Sequence, residues 1–184
     1  MKRRRPLPLA ILVAAVCAVR CGSAADPMVP PLSGPQGTVV VPVVNEGWVH
    51  VPEGSTVRYQ ANPPASGPHY PVWARYEEFA VALPRPYWVH NLEHGAIVFL
   101  YRPDTPAPVV AALRAAFRGL SADAVCGHPL ALMTADPELP RPVAVMAADW
   151  ALTADGVDAP TITAFVAARR NHGPEKVCSP GDRP

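Results

Sequence analysis

Between Val89 and Gly95 the chain reads VHNLEHG, which sets two imidazoles, His90 and His94, at i and i+4 with a carboxylate, Glu93, between them. On one helical turn such positions share a face, so both rings can reach a single metal ion. Neutral imidazole suits zinc, copper, nickel and iron alike. The order His-x-x-Glu-His is also the inverted zinc-peptidase pattern, in which the glutamate serves as general base. That chemistry belongs on a long helix. Here Pro84 and Pro86 stand just before the motif, and Gly95 with the apolar run AIVFLY follows it, so one or two helical turns are expected at most. A third reading needs no metal: the histidines and Glu93 hydrogen-bond carbonyls that a proline-rich loop leaves unpaired. No Ser or Cys nucleophile lies in a recognisable motif, and no Gly-rich phosphate loop is present.

The elements that must position these residues follow from periodicity and turn chemistry. Thr38 to Val44, Trp48 to Val51 and Val57 to Tyr59 are short β-branched or aromatic runs cut by turn residues, and they read as strands. The stretch ANPPASGPHYP from Ala61 to Pro71 reads as a loop of fixed shape, because its prolines remove donors and restrict their neighbours. Ala96 to Tyr101 suits a buried strand. Thr105 is expected to cap a helix with Pro106 at its first position. Val109, Val110, Leu113, Ala116, Phe117 and Leu120 then fall on one face of a 3.6-residue period. Leu130 to Thr134 and Pro142 to Trp150 read as strands. Asp158 opens a second helix whose apolar face is Ile162, Phe165 and Val166 and whose end is marked by Asn171 and Gly173. The expectation is an α+β fold, a mostly antiparallel sheet with two helices packed on one face, in a single domain over residues 38–178.

The start of the chain bears on where that domain works. Lys2-Arg3-Arg4-Arg5 precede an uncharged run, Leu7 to Val19, and Ser23-Ala24-Ala25 supplies small residues for cleavage. This is the pattern of a signal peptide over residues 1–25 and of an exported chain, periplasmic or extracellular. Lipid attachment at Cys17 or Cys21 is the weaker reading, since Val16 and Arg20 suit the preceding position poorly. A flexible proline-rich arm, 26–37, would follow, and 179–184 would be a tail. Without the leader Lys plus Arg falls from 16 to 11 against 15 acids, a net charge of −4. A nucleic-acid partner therefore has no electrostatic footprint, and no later segment is long and apolar enough for a transmembrane helix. Two cysteines remain, Cys126 and Cys178, and an even pair in an oxidising compartment is read as a disulfide.

The residues NPPASGPHYP at 62–71, VHNLEHG at 89–95 with its apolar strand and Tyr101, Trp150, and Gly173-Pro174-Glu175 together resemble a bacterial exported family, domain of unknown function 3105. The resemblance covers most of residues 60–175, with Ala65 and Ala148-Asp149 as departures that touch no histidine. It implies that His69, His90 and His94 belong to one constellation. A loop locked by Pro68 and Pro71 loses little entropy on binding, so His69 is the natural third ligand. His128 beside Cys126 and Met133 on a following strand are further candidate donors, and Glu93 is expected to orient a ring nitrogen from outside the ligand set. His50 and His172 are assigned to the surface. With Met133 and Met146 on nearby strands copper is the first choice of ion and zinc the second. The leading reading is an exported metal-binding protein. The alternatives are a metal-dependent hydrolase with Glu93 as base, and a structural or interaction domain with a metal-free histidine network.

Overall fold

Short runs of β-branched and apolar residues build the sheet, and the chain enters it early. In the computed structural model, which describes residues 32–183, β1 (Leu32–Ser33) pairs antiparallel with β2 (Val39–Pro42) around a 3-10 turn at Pro35–Gly37. The sheet thus reaches back into the stretch expected to be a flexible arm. The expected signal peptide lies outside the described residues.

Between β2 and the first helix the chain forms no strand of the main sheet. Trp48 to Val51, expected as a strand, is extended but pairs with the proline-rich loop through one isolated parallel bridge, His50 to His69. Val57 to Tyr59 is likewise irregular. Alternating side chains specify an extended backbone, not its partner, and here the partner is a loop too kinked to continue a ladder.

The first helix, α1 (Arg85–Glu93), is longer than expected from its prolines. Pro84 is the N-cap and Pro86 lies in the first turn, where the missing N–H has no intrahelical partner to lose. Seven of its residues, Pro86 and Trp88 to Glu93, are buried, so it carries no amphipathic stripe that sequence periodicity could register. After it come β3 (Ile97–Tyr101), α2 (Ala107–Arg118), β4 (Ala131–Ala135), β5 (Val143–Ala147), β6 (Trp150–Ala154) and α3 (Ala159–Arg169). Pro106, not Thr105, caps α2, because the Thr105 hydroxyl donates to the Pro142 carbonyl at 2.8 Å. Asp158 caps α3 as expected, accepting from the Thr161 amide at 3.1 Å. The run Pro142 to Trp150 is a hairpin arm plus its turn, broken where Asp149 takes a positive φ of 60°, which a short polar side chain tolerates.

The strands order as β1-β2-β6-β5-β3-β4, antiparallel throughout except for the parallel pair β3 and β4. The fold is α+β, and alternation along the strands divides the core. Ile97, Phe99, Met133, Val143 and Val145 pack with Leu113 of α2 and Ile162, Phe165 and Val166 of α3. Val98, Leu100, Leu132, Ala144 and Met146 pack with Trp88, Val89 and Leu92 of α1 and with Ala65 and Ala74 of the irregular segment. That second cluster is the floor on which the histidines are placed. No helix among the described residues is long and apolar enough to cross a membrane. Cys126 and Cys178 form the expected disulfide, which is compatible with an exported chain.

Candidate metal centre

The proline-rich loop is fixed before it presents any side chain. Glu46 accepts the Gln60 and Ala61 amides at 2.9 Å each, the Ser66 hydroxyl accepts the Glu46 amide at 2.7 Å, and the Tyr59 hydroxyl donates to the Pro68 carbonyl at 2.9 Å. Gly67 is required because its φ is +120° and the Tyr59 ring lies against it. The His69 amide then donates to Val49 and the Val51 amide to His69, at 2.9 and 2.8 Å. These two bonds align His50 beside His69.

From the other side, α1 delivers His90 and Glu93 a turn apart. The side chain of Asn91 clamps the loop to the helix, accepting from the Ala74 amide at 3.0 Å and donating to its carbonyl at 2.9 Å. This places the Tyr70 carbonyl and Trp73 over the histidines. His94 follows as the C-cap of α1, and Gly95, with φ +82°, turns the chain into β3.

The side-chain atoms that converge are those of His50, His69, His90 and Glu93, one from each, all within 4.8 Å of one another. Glu93 Oε2 lies 3.1 Å from His69 Nε2, 3.7 Å from His50 Nε2 and 3.8 Å from His90 Nε2. Tetrahedral zinc, with bonds of about 2.0–2.1 Å, requires ligand atoms roughly 3.3–3.5 Å apart. The far ring nitrogens are committed elsewhere: His69 Nδ1 donates to the Gly67 carbonyl at 2.8 Å, and His90 Nδ1 to the Tyr70 carbonyl at 2.6 Å. A carbonyl can only accept, so both protons sit on Nδ1 and, in the neutral rings, both Nε2 lone pairs point inward. Backbone carbonyls holding the outer N–H in this way are the usual support of metal-binding histidines.

Burial sets the charge state of two rings. The side chain of His69 is 0% exposed and that of His90 3%, whereas His50 is 52% exposed and forms the outer edge of the group. Desolvation lowers His90 from 6.5 to about 4 against the Tyr70 carbonyl, which favours the proton, and the neighbouring imidazoles lower it further. His94 is lowered to about 4 chiefly by the same desolvation. Both are neutral at pH 7, as metal ligation needs. Trp73 lies over His90 and His94 at centroid distances of 5.0 and 4.5 Å.

The geometry groups two of the candidates differently from the sequence reading. Glu93 was placed outside the ligand set, but its carboxylate shares the cavity of the three rings. His94 was placed with His69 and His90; its Nε2 lies 3.1 Å from His90 Nε2, and it also falls in a second group with Glu93 and Glu175. His50, exposed as expected, falls in the group with His69, His90 and Glu93; it stacks on His90 at 5.0 Å and meets His69 edge-on at 5.0 Å. The one signal for His50 in the sequence is that it shares a strand face with Trp48, whose ring packs on the core. His69 and His90 do converge, with ring centroids 4.8 Å apart.

The remaining candidates lie elsewhere. His128 Nε2 donates to the Cys178 carbonyl at 2.6 Å and its ring stacks on Tyr76. Met133 is buried in the cluster under α2 and α3, on the opposite sheet face from α1. Met146 lies within the apolar cluster beneath α1. A model for proteins of unknown function, DUF3105, matches residues 50–180 of the chain. No curated protein and no solved structure matches it.

Proposed function

Because the chain belongs to the DUF3105 family of proteins of unknown function, we propose its function from the site alone: an exported protein that binds a divalent transition-metal ion through His50, His69, His90 and Glu93. The observation that carries this reading is the inward convergence of lone pairs. His69 Nε2, with its proton on Nδ1, faces a carboxylate oxygen at 3.1 Å, an arrangement that repels unless a cation lies between or beside them. One ion at the centre of the group satisfies all four donors.

The donor set bears on which ion. Copper was favoured by nearby thioethers, but Met133 faces the other side of the sheet and Met146 is packed in the apolar cluster beneath α1, which weakens the case for copper(I). Three imidazoles and one carboxylate are ligands that zinc takes readily, and zinc moves ahead of copper(II). Four protein donors fill a tetrahedron, which is characteristic of a site that retains its ion; catalytic zinc sites keep a position open. This also weakens the hydrolase alternative, which needs Glu93 free to act as base.

The same distances support one metal-free reading. A proton on His69 Nε2 would pair it with Glu93, and His94 Nε2 could donate to His90 Nε2 at 3.1 Å. Metal analysis separates the two. Full-length protein stripped with chelator and re-equilibrated with zinc, copper, nickel or iron should retain at least one ion per chain, and His69→Ala and His90→Ala should each abolish tight binding at that centre. Sub-stoichiometric metal in the parent protein, unaffected by either substitution, would establish the proton-held network instead.

A further inference from the structure

Beyond His90 the helix end and the C-terminal segment form a second grouping, from His94, Glu175 and the same Glu93. We propose that this is a second cation centre adjoining the first, so that the Glu93 carboxylate joins two ions. The proposal rests on the first centre being a metal site.

The position of Glu175 is built into the backbone. Its amide donates to the Glu93 carbonyl at 3.0 Å, and the Asn171 amide donates to the Gly95 carbonyl at 2.8 Å. Gly173 lies so close to the end of α1 that a Cβ there would collide with the Glu93 carbonyl and the Gly95 amide. The Gly173-Pro174-Glu175 stretch is therefore pressed onto the helix terminus. Among the described residues, no Lys or Arg forms an ion pair with the Glu175 carboxylate; its partner at that range is His94, with Nε2 to Oε2 at 3.4 Å.

His94 is buried, and its polar contacts all run through Nε2, since Nδ1 has no hydrogen-bond partner among the described residues. Its Nε2 faces both Glu175 and His90 Nε2, the latter at 3.1 Å. In the metal-free protein a proton on His94 Nε2 can be donated to His90. Once His90 Nε2 ligates the first ion, that acceptor is gone. With its proton moved to Nδ1, the neutral His94 ring then offers its Nε2 lone pair between two carboxylates, and a second divalent ion takes that lone pair and balances their charge. Glu175 is half exposed, with 53% of its side chain accessible, so this ion is the outer and more exchangeable of the two.

Zinc titration of the chelator-stripped full chain, followed by elemental analysis, tests the proposal. Two ions per chain are expected in the parent protein and one in Glu175→Gln, a substitution at a half-exposed side chain that leaves the core untouched. Copper(II) loading gives a second readout: two ions bridged by a carboxylate couple magnetically, so the EPR signal should integrate to fewer spins than copper atoms. In Glu175→Gln the spin count should equal the copper count. One ion per chain in both proteins, bound equally tightly, would overturn the second centre and leave the first standing. So would two ions in both. No bound ion in either would overturn both centres.

Discussion

Glu93 carries the charge on which the candidate site depends. It is buried, and no Lys or Arg among the described residues pairs with it; the groups that pair with it are histidines, and the Glu175 carboxylate is also close by. An isolated buried carboxylate is costly, so its charge must be compensated by a proton or a metal ion. If the metal reading holds, Glu93→Gln should weaken zinc binding by no less than the about 10–100-fold that outer partners of metal ligands carry. Competition with a chromogenic chelator measures this, and undiminished affinity would return Glu93 to the role of base or network member. The buried rings predict a pH dependence for the stripped protein. His90 and His94 take a proton near 6.5 when unfolded but only near 4 in the fold. Between those values the unfolded chain binds more protons, so stability is lost as pH falls from about 6.5 to about 4 and does not change on this account above or below. Thermal melts of chelated protein should show Tm declining from pH 7 to pH 5. A flat profile would mean that the rings take up protons in the fold at the same pH as in the unfolded chain.

At the scale of elements, α1 and the segment before it act as two halves of a clamp. The helix brings His90 and Glu93, the segment brings His50 and His69, and Asn91 holds the halves together through both polar groups of Ala74. Asn91→Ala would leave a buried amide and a buried carbonyl unpaired, at a cost of about 1–3 kcal/mol each. Chemical denaturation should register the destabilisation, and metal affinity should fall with it because Tyr70 and Trp73 lose their anchor. A stability change without an affinity change would show that the clamp supports the fold alone. The irregular stretch from Val43 to Pro84 is long for a compact domain, and loops of that kind usually carry function.

At the scale of the whole molecule, the disulfide ties the C-terminal segment bearing Glu175 to the chain just before β4. It closes a separation of 52 residues, for which the chain-entropy model gives a stabilisation of about 4 kcal/mol. Reduction should lower the denaturation midpoint accordingly. It should also loosen the outer ion before the inner one, because Glu175 lies close to Cys178 in sequence while His50, His69 and His90 are held by other contacts. Equal loss of both ions on reduction would argue against this order. Non-reducing mass analysis of the denatured chain should find Cys126 and Cys178 without free thiols.

What the sequence determined by itself was what local patterning can encode. The apolar periodicity of α2 and α3, the Asp158 cap, the buried run of β3, the cysteine pair and the chemical identity of the histidine motifs are properties of neighbouring residues, and each can be read there. α1 was not legible at its true length, because a helix buried on nearly every side has no contrasting face and its prolines lie where a first turn accommodates them. Only the tertiary structure decided which side chains converge. His50 enters through two backbone bonds to His69, His94 turns to Glu175 because Gly173 lets the C-terminal segment press against the helix end, and Met133 is carried to the opposite face by the alternation of its strand. Those outcomes depend on the relative placement of segments distant in sequence. A ligand set is defined by atoms meeting within a few ångströms, and spacing along the chain constrains that distance only within one turn or one strand.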